Sequence, residues 1–142
     1  MHSNDLIDNR QGILVILGTP DTLIEDNRIT AGEDSKDGIE VRNAPGTELQ
    51  GNHITGGTDG FWAIRLSEDR GADGRGTGIP SGIRIEGNVI RQSANGIRID
   101  AGEDLSMIEN VIDGIEGAEL RVADGIEVSQ SAQQSNSTRD HK

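Results

Sequence analysis

Apolar and polar positions alternate in a string that recurs five times: Gly12-Ile13-Leu14-Val15, Gly38-Ile39-Glu40-Val41, Ala63-Ile64-Arg65-Leu66, Gly96-Ile97-Arg98-Ile99 and Gly125-Ile126-Glu127-Val128. A period of two with β-branched side chains on one side predicts strands with one buried face. Between these strings runs a second pattern, hydrophobic-x-x-Asn-x-Ile, at Ile24 to Ile29, Leu49 to Ile54, Ile85 to Ile90 and Met107 to Ile112. No window holds apolar residues at i, i+3, i+4 and i+7 over ten or more positions without a glycine, so helices are not expected. The 20 glycines supply corners instead, since glycine reaches positive φ where a chain turns sharply.

Two interleaved repeats with a shared period predict a solenoid. The pattern asparagines are 25, 36 and 22 residues apart and the Gly/Ala positions 26, 25, 33 and 29 apart, so one coil takes about two dozen residues. Both long intervals span Ser67 to Ser81, where roughly ten extra residues must leave the coil as a loop if the flanking strands stay in phase. Residues 1–128 read as one domain of about five coils, with the loop at 67–81, and 129–142 as a polar, disordered tail. Strands stacked ~4.8 Å apart make such a rod only ~25 Å long.

Composition narrows how that rod is held together. One Phe, one Trp and no Tyr leave the packing to ladders of Ile, Val and Leu, which stacked coils bury against one another. Asn27, Asn52, Asn88 and Asn110, one per coil, read as a structural ladder. Their amides can hydrogen-bond from coil to coil, and asparagine tolerates the left-handed conformation of a tight corner.

The alternation of I-x-x-N-x-I with G-I-x-V over residues 6 to 128 resembles the repeats of right-handed parallel β-helix proteins. These form the broad superfamily of pectate lyases, polygalacturonases, alginate epimerases, phage tailspikes and NosD-like proteins, and the undecorated repeats here look most like the NosD-like type. The resemblance implies an all-β, single-stranded right-handed parallel β-helix, and a carbohydrate- or metal-related role outside the cytoplasm. It fixes no chemistry, because one scaffold hosts many activities. Polygalacturonase-like hydrolases carry N-T-D, D-D, G-H-G and R-x-K. Here Asp37 matches the first aspartate and Asp59 falls 22 residues on, but Gly60 stands where the paired acid belongs, and G-H-G and the lysine are missing. The D-P-H-D string of alginate epimerases is also absent. Pectate lyases use scattered acids for calcium and an arginine as base, residues that this chain has in number.

Outward positions of the Gly-Ile strings are expected to form one file, Leu14, Glu40, Arg65, Arg98 and Glu127, spaced by one strand. Arg65 and Arg98 then lie side by side and repel unless an acid or a bound anion compensates them, and a guanidinium fork suits uronate carboxylates. The alternative is an ordinary solvated face, with Glu40 paired to Arg65 and Glu127 to Arg98. The candidate catalytic set is Asp37, Asp59, Arg65 and Arg98. Trp62 is expected at a corner as a sugar-stacking platform, or else with Phe61 as cover for a gap under the loop. Arg75 would join Trp62, Arg65 and Arg98 in substrate binding, and Glu68, Asp69 and Asp73 in the loop are candidate calcium ligands. For Asp37 and Asp59 the competing reading is that acids before glycine begin turns.

Other chemistries fall away. There is no cysteine, and His2, His53 and His141 are far apart, so a zinc site or thiol nucleophile lacks ligands. His53 reads as an exposed strand residue. A net charge of −12 opposes nucleic-acid binding, and no run approaches a membrane span. Residues 1–10 show no apolar signal-peptide core, so only the resemblance speaks for an extracellular or cell-surface setting. Acid enrichment with 2 lysines among 13 basic residues suits a halophilic or high-GC source. Open coil ends need covering, which predicts a flanking segment or self-association. Three functions follow: a module binding acidic polysaccharide, an active lyase or hydrolase on such a polymer, or a structural segment of a larger surface or tail protein.

Overall fold

The computed structural model describes residues 1, 3–15, 20–69 and 78–131, and the backbone of 134–135. Five successive coils of three strands each account for nearly all of it. The first holds β1 (Asp5–Ile7), β2 (Gln11–Val15) and β3 (Leu23–Glu25), and the second β4 (Arg28–Ala31), β5 (Asp37–Val41) and β6 (Glu48–Gln50). In the third are β7 (His53–Gly56), β8 (Trp62–Leu66) and β9 (Arg84–Glu86), and in the fourth β10 (Val89–Ser93), β11 (Ile97–Ile99) and β12 (Leu105–Ile108). The fifth has β13 (Val111–Asp113), β14 (Leu120–Val122) and β15 (Val128–Ser131), after which β16 (Gln134–Ser135) returns to the first sheet, so regular structure continues past residue 128.

Every third strand pairs in parallel, giving a first sheet β1-β4-β7-β10-β13-β16, a second β2-β5-β8-β11-β14 and a third β3-β6-β9-β12-β15. The hydrophobic-x-x-Asn-x-Ile motif therefore spans two strands and the corner between them: Ile24 lies in β3 of the third sheet, Asn27 at the corner and Ile29 in β4 of the first. Inward positions stack in register as ladders. Leu6, Ile29, Ile54, Ile90 and Ile112 line the first sheet, Ile13, Ile39, Ile64, Ile97 and Leu120 the second, and Ile24, Leu49, Ile85 and Met107 the third. Most of these side chains are fully buried, which is how a chain so poor in aromatics builds one continuous core.

The asparagine corner is a buried ladder, and it has a fifth member, Asn4, that the motif did not include. Oδ1 of Asn52 accepts from the backbone N–H and Nδ2 of Asn27 at 3.0 and 3.1 Å, and Oδ1 of Asn88 accepts both donors of Asn52 at 2.9 Å. Asn110 receives Asn88 in the same way, and Asn27 receives Asn4. The second Nδ2 hydrogen of Asn52, Asn88 and Asn110 goes to a backbone carbonyl, that of Ile24, Leu49 and Ile85. The expectation about backbone conformation is corrected: left-handed φ falls on the residue before each asparagine, Ser3, Asp26, Gly51, Gly87 and Glu109, at 54–65°. That residue makes the turn, leaving the asparagine free to aim its amide along the stack.

The insertion lies between β8 and β9 and is pinched at its base. Asp69 and Gly78 form an antiparallel bridge with reciprocal N–H···O bonds of 2.8 and 2.9 Å. Arg70, Asp73 and Arg75 lie outside the described residues.

Candidate functional site

The outer face of the second sheet carries the candidate chemistry. Its outward file is Leu14, Glu40, Arg65, Arg98 and Arg121. Arg121, not Glu127, is thus the neighbour of Arg98, because the fifth coil supplies β14 to this sheet, while Val128 opens β15 in the third. The expected Glu127–Arg98 pair is replaced by a run of three arginines.

Strand β5 departs from one-sided burial, since all five of its residues are buried. A Cβ on Gly38 would point inward, 3.2 Å from Ile54 Cγ2 and 2.5 Å from the Ala63 carbonyl oxygen. Positions 38 and 39 thus both face the core, and strict alternation breaks. Asp37 and Glu40, three apart in sequence, consequently line the same groove, which has a volume of about 690 Å³.

Glu40 is the anchored acid. Its carboxylate accepts from Arg42 Nε at 3.1 Å, from Ser67 Oγ at 2.7 Å and from Gln11 Nε2 at 2.5 Å. Burial pushes its carboxyl up, but the hydrogen bonds from Arg42 and Ser67 and the charges of Arg42 and Arg65 outweigh burial and hold it below the ordinary range. Asp37 is the opposite case. Burial, then the nearby Glu40 charge, raise it to about 6 against the pull of Arg65, Arg98 and Arg42, and its nearest cation, Arg65, is 3.9 Å away.

Asp100 answers the question of how Arg65 and Arg98 coexist. One of its oxygens accepts from Arg65 Nε at 3.1 Å and the other from Arg98 Nε at 2.8 Å. Arg65 lies in register with Glu40, but among the described residues its acids within 4.0 Å are Asp100 and Asp37. Trp62 begins β8 and is 5% exposed, with the guanidinium carbons of Arg98 and Arg121 at 5.9 and 5.2 Å from its ring centroid. In this arrangement the ring supports two cations and offers little open face to a sugar. Phe61 is fully buried in the core.

Asp37, Arg65 and Arg98 meet in the groove, and a smaller adjoining recess adds Asp59 and Trp62 to the same three residues. Asp59 is exposed there. Of the candidate calcium ligands, Glu68 lines the groove and Asp69 is buried at the base of the insertion. Among the described residues no group of three or more His, Cys, Asp or Glu could hold a metal ion. His53 is exposed in β7 of the first sheet, away from this groove. Arg42, Ser67 and Asp100 were missed in the sequence although they carry a period-two signal: Arg42 and Asp100 lie two residues beyond the outward Glu40 and Arg98, and Ser67 two beyond Arg65.

Three stacked parallel sheets with a charged groove on one outer face define a parallel β-solenoid. A family model described as right handed beta helix region matches residues 1–140, and the chain belongs to that family. No curated protein and no solved structure matched it.

Proposed function

We propose that the chain is a carbohydrate-binding β-helix module whose groove on the second sheet takes an acidic polysaccharide, with sugar carboxylates facing Arg42, Arg65 and Arg98. The observation that carries this reading is the local charge. Five of the chain's 13 basic side chains line the groove against four of its 25 acids, in a molecule of net charge −12. Arg65 and Arg98 share the single carboxylate of Asp100, and a guanidinium has five N–H donors, so donors remain for a ligand. A site lined by residues of four successive coils also suits a polymer that contributes several weak charge-assisted contacts.

A second reading, cleavage of the same polymer, is favoured by Asp37, since an acid held near 6 at a groove wall suits proton donation. The two readings separate in one experiment: retention of the chain on uronate polymers, with and without calcium, read together with release of unsaturated or reducing ends. Retention that falls with Arg65→Ala and Arg98→Ala, without product, is the expected result. Product lost with Asp37→Asn would establish an enzyme, and neither retention nor product would leave a structural segment of a larger surface or tail protein.

A further inference from the structure

The outer face of the first sheet holds a second concavity, of about 380 Å³, that shares no residue with the groove. Parallel register stacks His53 on Arg28 and Thr55 on Thr30, and places Arg91 on the far side of Thr55. These five side chains line one hollow, and adjacent strands lie only ~4.8 Å apart.

Each arginine has one acid in register on the strand outside the hollow, Asp5 beside Arg28 and Asp113 beside Arg91, but neither is closely paired. Arg28 makes no ion pair among the described residues, and the acid nearest Arg91, Asp113, is at 4.0 Å. Arg28, His53 and Arg91 are all exposed. Two cations two coils apart, with His53 and Thr55 on the strand between them, attract an anion from solution on an otherwise acidic surface. The surrounding groups add directional donors: the two threonine hydroxyls and an imidazole N–H, which the ring retains in either protonation state.

We propose that this concavity is a second ligand site, taking a tetrahedral oxyanion of the sulfate or phosphate type between Arg28, His53 and Arg91 over the Thr30–Thr55 pair. The donors come from three strands and two files, so they approach from different directions. A carboxylate has two oxygens in one plane and meets only part of such a set, whereas a tetrahedral group with three or four terminal oxygens can meet it all. The oxyanion is either a free ion or an ester carried by a sugar.

His53 is the reporter. Its ring proton resonances, identified by their loss in His53→Gln, are followed in the full chain while sodium sulfate or phosphate replaces sodium chloride at constant ionic strength. The expected result is a saturable shift confined to His53 among the three histidines, with affinity about tenfold weaker in Arg28→Gln and unchanged in Arg65→Gln. The same titration with a sulfated monosaccharide and its unsulfated parent separates the sources: tighter binding of the ester than of inorganic sulfate assigns the site to a sugar-borne group, and equal or weaker binding to the free ion. A shift that fails to saturate and matches chloride would overturn the proposal, as would an unchanged affinity in the Arg28→Gln/Arg91→Gln double variant. Arg28, His53 and Arg91 are exposed and Arg65 is half-buried at the other groove, so far-ultraviolet spectra check that each variant keeps the fold.

Discussion

Replacing Asp37 with asparagine should stabilise the protein at neutral pH and leave it unchanged in acid. The folded carboxyl titrates at about 6 against an ordinary value of 3.8. Between those values the folded state holds a proton that the unfolded chain has released, so stability falls as pH rises through this window and the full cost is present above 6. A gap of roughly two units at 1.36 kcal/mol each makes that cost about 3 kcal/mol, an upper bound for the gain on removing the charge. Asparagine keeps the shape of the protonated acid and cannot ionise. Urea unfolding of the native protein and Asp37→Asn should therefore give nearly equal free energies at pH 4 and a difference growing to at most about 3 kcal/mol, in favour of the variant, by pH 7.5. Glu40 and the other carboxyls are common to both proteins and cancel in the difference. A difference that stays flat with pH, or that favours the native protein at pH 7.5, would refute the reasoning.

Four further outcomes follow from the same geometry. Retention on a uronate polymer should rise about fivefold from pH 7.5 to 5 as Asp37 neutralises, a change of about 1 kcal/mol for one charge near the ligand, and Asp37→Asn should abolish the dependence. Asn88→Ala removes the acceptor of Asn52's backbone N–H and the donor to the Leu49 carbonyl in the buried ladder, and should cost about 4 kcal/mol in chemical unfolding. Trp62→Ala removes the buried ring beneath Arg98 and Arg121, and should lower stability by about 3–5 kcal/mol on the same assay. Glu109→Gly should raise the melting temperature, because glycine relieves a left-handed φ of 54° that costs a non-glycine residue about 1 kcal/mol.

The fold was legible because its determinants repeat. Ile39, Ile64 and Ile97 occupy equivalent positions in successive coils, and Asn27, Asn52, Asn88 and Asn110 mark one corner each, so period and phase could be read from spacing alone. Reading failed where the period changes. Gly125-Ile126-Glu127-Val128 copies the string of the second sheet but leads into the third, and Leu120-Arg121-Val122, which lacks the leading glycine, takes its place in register with Ile97-Arg98-Ile99. Asn4 escaped notice because Met1 to Leu6 lacks the full motif. The candidate site was half visible: Arg65 and Arg98 stood out by their stacking, whereas burial of Asp37 and Glu40 on the outer face depends on the break in alternation at Gly38 within β5, on Arg42 folding back onto Glu40 and on Ser67 reaching it from the next coil, and the last of these is a contact that spacing along the chain does not reveal.

The pinch at the base of the insertion makes this solenoid a display scaffold. Asp69 and Gly78 are tied to each other, and Leu66 and Arg84 are paired within their own sheets on either side, so coil register is fixed without reference to what stretch 70–77 contains. Doubling a closed loop costs only about 0.6 kcal/mol. Segments of different length and chemistry can be exchanged between Asp69 and Gly78, so this part of the chain can be rewritten while the ladders beneath stay as they are.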